Sequence, residues 1–131
     1  MFAEKSWGSF RVLDVEDASM TIKITLTPGH GMNYHSHENR DEVWTVISGT
    51  GHAILDGVRR DVKPGDILTM PAGCRHTVFA DSELKIIEVQ LGPAISVEDK
   101  QKYPLTAGAN RAILNKYSQK HSDGESMHKL L

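Results

Sequence analysis

The chain has 131 residues, about the size of one ordinary domain, so one hydrophobic core is expected and no second domain. With 39% hydrophobic and 24% charged residues the composition argues against wholesale disorder, and 15 Lys plus Arg against 17 Asp plus Glu leave a net charge of -2, which removes the electrostatic footprint of a nucleic-acid binder. No apolar run approaches the ~20 residues of a membrane span, the start MFAEKSWGSF lacks a signal peptide's apolar segment, and the single Cys74 excludes an internal disulfide. The expectation is a cytoplasmic protein with no nucleic-acid or membrane partner.

Along the chain the pattern is that of strands. Short β-rich runs recur between Gly, Pro, Asn and Asp punctuation at 9–14, 20–26, 32–37, 42–48, 52–55, 59–62, 67–70, 76–80 and 84–91. In 20–26, Met20, Ile22, Ile24 and Leu26 share one face and Thr21, Lys23 and Thr25 the other, the alternation of a half-buried strand. Asp56-Gly57 is a two-residue hairpin signal, and Pro28-Gly29 and Pro64-Gly65 mark further reversals. In 84–91, Glu88 and Gln90 alternate with Ile87, Val89 and Leu91, so the two polar residues are expected to face out, unless the outer surface is buried in a dimer.

After Leu91 the character changes. The segment 95–103 could open a helix with Ser96 as N-cap and Glu98 or Asp99 in the first turn, and 109–117 could form a second short helix. The expected organisation is an all-β barrel over residues 1–103 and a C-terminal extension over 104–131, packed on the barrel or on a partner subunit. His121 and His128 fall in a polar tail read as solvated.

The chemistry lies in two stretches, PGHGMNYHSHENRDEVWTVISG from Pro28 and PGDILTMPAGCRHTVFA from Pro64. His35 and His37 are two apart, so on a strand both imidazoles point to one face. Glu42 follows five residues later, far enough for the chain to turn and return beside them. In the second stretch Pro71 and Gly73 form a turn leading into His76. Three imidazoles and one carboxylate converging from different strands would suit divalent zinc, iron, manganese, nickel or copper. Cys74, in the turn before His76, is read as structural.

These residues resemble the two motifs of the cupin superfamily. Gly29, His35, His37, Glu42 and Gly49 match the first, and Gly65, Pro71, Gly73 and His76 the second, with Ala80 in place of its closing Asn. The resemblance implies a double-stranded β-helix, or jelly roll, with a metal inside the barrel held by His35, His37, Glu42 and His76, and a homodimer. Over roughly residues 5 to 100 the runs KSWGSFRVLD, KITLTPG, VISGTG and IIEVQLG are similar to the cupin domain of type II mannose-6-phosphate isomerases. That similarity implies aldose–ketose exchange between mannose 6-phosphate and fructose 6-phosphate, with a sugar or sugar phosphate as substrate. The chain departs from the isomerase pattern at His35, typically Gln there, and at Asn39 and Val43, where that family carries His; Arg40, Glu42 and Trp44 match.

An isomerase needs a base poised near neutrality and cationic anchors for phosphate. The candidates near the motifs are Lys23, Arg40, His52 and Arg75. Lys23 faces either lumen or solvent, His52 is a base or an edge-strand polar residue, and Arg40 pairs with Asp41, Glu38 or another surface carboxylate if it is not at the site. Arg75 precedes His76 and by alternation points to the surface. Trp44 shares parity with Glu42 and lines the pocket or packs beside the metal. Asn33 shares parity with His35 and His37 and could reach substrate or a metal-bound water. Two other functions fit the same residues: a binding module that holds metal and carbohydrate without turnover, and a mononuclear metal dioxygenase.

Overall fold

The structure, a computed structural model, describes residues 1–93, 95–96 and 98–105. Eleven strands occur in chain order: β1 Phe2–Lys5, β2 Gly8–Val15, β3 Ser19–Leu26, β4 His35–Ser36, β5 Asp41–Ser48, β6 Gly51–Leu55, β7 Val58–Val62, β8 Ile67–Met70, β9 His76–Ala80, β10 Leu84–Leu91 and β11 Gln101–Lys102. They form a six-stranded sheet, β1-β2-β3-β10-β5-β8, and a five-stranded sheet, β11-β4-β9-β6-β7, with every strand pairing antiparallel. The fold is all-β, a double-stranded β-helix, with no helix among the described residues.

Between the sheets lies a core built from the alternation read in the sequence. Ile22, Ile24 and Leu26 are fully buried while Lys23 is exposed. Register sorts the inward side chains of the six-stranded sheet into rows. Leu26 faces Leu84, and the next row runs Phe10, Ile24, Ile86, Val46. The third runs Val12, Ile22, Glu88, Trp44, Leu68, and the fourth Met20, Gln90, Glu42, Met70. The barrel interior is therefore apolar at one end and grades into polar groups at the other. Truncating a fully buried residue of the apolar rows, such as Ile24, to Ala costs about 2–5 kcal/mol.

The turns follow their residues. Asp56 (φ 47°) and Gly57 (φ 82°) both adopt positive φ, the requirement of the primed hairpin turn that links β6 to β7. Gly49 (φ 88°) lies so close to the chain that a Cβ there would meet the carbonyl oxygen of Glu83 at 1.9 Å, which explains a glycine at the end of the first motif.

Three expectations are corrected. Of 32–37 only His35–Ser36 is strand; the preceding residues follow β9 through a single bridge, Gly31 to Phe79, and a bond from Met32 N–H to Val78 O at 3.1 Å. The segment expected to open a helix at 95–103 instead makes a short turn, with Ser96 Oγ accepting from Glu98 N–H at 3.1 Å, and then pairs as β11 with β4. Hydrogen bonding to β4 supplies partners that a short isolated helix would lack. Glu88 and Gln90 face inward, not outward, because the pairing of β10 with both β3 and β5 sets its inner face by Leu84 and Ile86. The helix expected at 109–117, and His121 and His128, lie outside the described residues.

Candidate metal centre

Three strands deliver the site. β4 presents His35, the turn after it His37, and β9 opens on His76, whose Cα is the register partner of His35. All three imidazoles are buried, and their ligating nitrogens lie within 4.8 Å of one another. The ring centroids of His35 and His76 are 4.3 Å apart, and those of His35 and His37 4.8 Å.

Each ring is oriented by a backbone carbonyl. Nδ1–H of His35 donates to Asn33 O (2.7 Å), that of His37 to Asp99 O (2.6 Å), and that of His76 to Cys74 O (2.9 Å). A carbonyl only accepts, so Nδ1 carries the proton in all three and Nε2 keeps its lone pair. This is the arrangement by which proteins fix the tautomer of metal-binding histidines.

Glu42, from β5, is fully buried beside them. Its Oε2 lies 3.2 Å from His37 Nε2 and its Oε1 3.3 Å from His76 Nε2. At the His76 contact two lone-pair atoms face each other with no hydrogen-bond donor between, which is repulsive unless a cation is shared, whereas at the His37 contact the Arg40 guanidinium bridges the two atoms. Donors each about 2.1 Å from one ion and at right angles would be about 3 Å apart, so the residues present fit a divalent metal. The carboxylate is held in place by Trp44 Nε1–H on Oε1 (3.1 Å) and by Arg40, whose Nε–H and Nη2 reach Oε2 at 2.9 and 2.8 Å. Arg40 Nη2 also donates to His37 Nε2 at 3.0 Å.

Charge follows burial. Burial holds His35 neutral well below its ordinary value, with His76 and Lys100 adding to the effect, and it lowers His37 to about 4 against the opposing pull of Glu42. Burial alone would raise Glu42, but His76, His37 and Arg40 outweigh it and leave the carboxyl below the usual range.

The structure sorts the other candidates. Asn33 and Trp44 are buried at the cluster; Asn33 positions His35 through its carbonyl, and the Trp44 ring stands edge-on to His76 at 5.5 Å. Arg40 is buried and pairs with Glu42 rather than with a surface carboxylate. Lys23 is corrected as a catalytic candidate: it lies on the outer face of β3, opposite the buried isoleucines. His52 is corrected likewise. Its alternates Ala53 and Leu55 pack into the core, so its own ring lies on the outer face of β6, with Nδ1 2.8 Å from Asp61 and Nε2 3.0 Å from Asp81. Arg75 is exposed as expected, its guanidinium 3.8 Å from the Tyr103 ring. Burial, then Asp56, pushes the Cys74 thiol up to about 11, so it is no ready thiolate ligand.

Sequence reasoning missed three features. The Asp99 carboxylate accepts from Glu38 N–H (2.7 Å) and Asn39 N–H (2.8 Å), so the segment carrying the carbonyl for His37 is pinned to the loop after β4. Lys100, next to it, is lowered to about 7 by burial and by Lys102 and Arg40, with Lys5 contributing; it lies within electrostatic reach of Glu42 and His35. Glu88 and Gln90 enter the lumen. Only the inner-face parity of β10 could have revealed the last two; Asp99 and Lys100 depend on a contact across some 60 residues.

A buried cluster of three imidazoles in a double-stranded β-helix defines a small-barrel protein equipped for metal. Residues 22–90 match the cupin domain model, and the chain belongs to that family. It is 24% identical over 97 residues to a mannose-1-phosphate guanylyltransferase of Klebsiella pneumoniae, covering 72% of this chain but only 21% of that protein, so it spans about a fifth of the length of that relative. Among solved structures, a Bacillus subtilis oxalate decarboxylase variant superposes with a TM-score of 0.70 at 19% identity, covering 79% of this chain and 30% of that one. A putative sugar phosphate isomerase of Acidithiobacillus ferrooxidans gives 0.53 at 23% identity, covering 56% and 50%. These likenesses show the fold alone.

Proposed function

We propose that this chain is a divalent-metal-dependent enzyme acting on a sugar phosphate, with aldose–ketose isomerisation between mannose 6-phosphate and fructose 6-phosphate as its reaction. The observation that carries the reading is the buried group of His35, His37 and His76 with the Glu42 carboxylate against it, and Lys100 within electrostatic reach of that group. A lysine beside a metal-binding cluster is the kind of group that pairs with a phosphate dianion. The similarity to sugar-phosphate proteins points the same way.

In this reading His35, His37, His76 and Glu42 hold the metal, which is zinc, manganese, iron or nickel. When bound, the ion supplies Lewis-acid polarisation of the carbonyl and hydroxyl oxygens between which a proton must move. Arg40 and Trp44 fix the Glu42 carboxylate, so the ligand set is formed before substrate arrives. Lys100, with Lys102 on the strand that pairs with His35, takes the phosphate, leaving the C1–C2 end of the sugar toward the cluster. Asn33 and Trp44 close the site around that end and keep water from the enediol. The protein works as a cytoplasmic homodimer.

The test is incubation of protein loaded with zinc, manganese, iron or nickel with each hexose phosphate, together with metal analysis of a His37→Ala variant. Interconversion with at least one metal, and metal lost from the variant, is expected. Equal metal content in variant and parent removes the site. No turnover with any metal removes the isomerase and leaves a binding module or a mononuclear dioxygenase.

A further inference from the structure

β10 is an inverted strand. Its outward positions carry Ile87, Val89 and Leu91, while Glu88 and Gln90 point inward and are fully buried. Gln90 Nε2–H donates to Glu88 Oε2 at 2.7 Å, and Glu88 Oε1 has no hydrogen-bond partner among the described residues. Leaving a buried polar atom unsatisfied costs about 1–3 kcal/mol, and an apolar side chain of similar size would avoid that cost. A carboxyl with an unsatisfied oxygen in the inner rows of a barrel therefore calls for a use.

Their placement supplies one. Gln90 is the cross-strand partner of Glu42, and Glu88 that of Trp44, whose indole N–H is bonded to Glu42. The pair thus stands one strand away from the metal cluster, on the same interior face.

We propose that Glu88 and Gln90 form a hydrogen-bonding subsite for substrate hydroxyl groups, so that the molecule held beside the metal is polyhydroxylated. Carboxyl and amide offer both donors and acceptors, which vicinal hydroxyls satisfy and an aromatic ring does not. The choice of sugar probe rests on the sugar-phosphate reading; the position of the subsite does not.

The experiment compares metal-loaded full chain with its Glu88→Gln and Glu88→Met variants. Each is titrated with mannose 6-phosphate, mannose and inorganic phosphate, and metal content and Tm are measured in parallel. The subsite predicts that Glu88→Met lowers affinity for both sugars at least about tenfold, the loss of one or two hydrogen bonds. Glu88→Gln, which keeps the shape and one acceptor, is expected to fall between Met and wild type. Phosphate affinity and metal content should stay unchanged and Tm should be no lower than wild type. Unchanged sugar affinity overturns the inference, and so does a loss accompanied by lower Tm or lost metal, which assigns Glu88 to structure. Wild-type protein that binds mannose and mannose 6-phosphate without interconverting it with fructose 6-phosphate would sink the isomerase while the subsite stands. Interconversion with KM unchanged in both variants would do the reverse, and wild type that binds neither sugar would end both.

Discussion

Lys100 sits where its charge is expensive: burial and the neighbouring cations Lys102 and Arg40 bring it down to about 7. A phosphate placed beside it would restore the ammonium and draw binding strength from that recovery. Lys100→Ala should therefore weaken mannose 6-phosphate binding by about tenfold and flatten its salt dependence, while leaving mannose binding and metal content alone. Calorimetric titration at two ionic strengths reads this out, and an equal loss for mannose would show that Lys100 does not serve the phosphate. Little of this residue's placement was legible in the sequence, because VEDKQKY carries the local signals of a helix start and nothing local says which distant strand it will join. The histidines were different. His35 and His37 are two apart, so their shared face is written into spacing, and the resemblance to the second cupin motif implied that His76 joins them.

At the scale of the element, the segment from Asp99 to Lys102 acts as a strap across β4. Its carboxylate caps the amides of Glu38 and Asn39, its carbonyl orients His37, and β11 extends the sheet by pairing Gln101 with Ser36 and Lys102 with His35. Tyr103 adds a hydroxyl contact with Ser36 at 2.9 Å and a backbone bond from its N–H to Tyr34 O. Asp99→Ala frees the two amides and loosens the carbonyl that holds the His37 tautomer. Metal affinity should fall about 10–100-fold with the circular dichroism spectrum preserved, and the imidazole ¹⁵N shifts of His37 should move toward mixed tautomers. Affinity equal to wild type would show that the strap does not position the ligand. The β10 error belongs to this scale too. Alternation reveals which residues share a face, but only pairing with β3 and β5 decides which face is inside.

For the whole molecule, the buried imidazoles set the response to acid. Burial lowers His37 to about 4 and His35 well below its ordinary value, so below about pH 6.5 the unfolded chain binds more protons than the folded one. Stability of the metal-free protein should therefore fall as pH drops from about 6.5 toward 4, His37 alone contributing about 3 kcal/mol across that window. Glu88 acts in the opposite sense. Burial, with Glu42 nearby, raises its carboxyl well above the ordinary value, so its folded form holds a proton that the unfolded form has lost above about pH 4.5. Its contribution thus declines as pH rises, and Glu88→Gln should be more stable relative to wild type at pH 7 than at pH 4. Urea unfolding of both proteins at pH 7, 5.5 and 4.5 checks the two slopes; a midpoint of the Glu88→Gln variant, which lacks the opposing carboxyl, that stays level between pH 7 and 4.5 would contradict the assignment of neutral histidines.

Most strands of the barrel, its hairpin turns and the shared face of His35 and His37 follow from the sequence, because alternation, turn chemistry and the spacing of two neighbouring ligands are local quantities. The 67–70, 76–80 and 84–91 runs coincide with β8, β9 and β10, and the Asp56-Gly57 turn has the positive φ angles its residues call for. The inward face of β10, the outward position of Lys23 and His52, the burial of Arg40 against Glu42 and the strap from Asp99 were decided only by tertiary structure. Each depends on which surfaces of distant segments meet. A side chain's environment is set by the partner that covers it, and one chain segment carries no record of its partner's register.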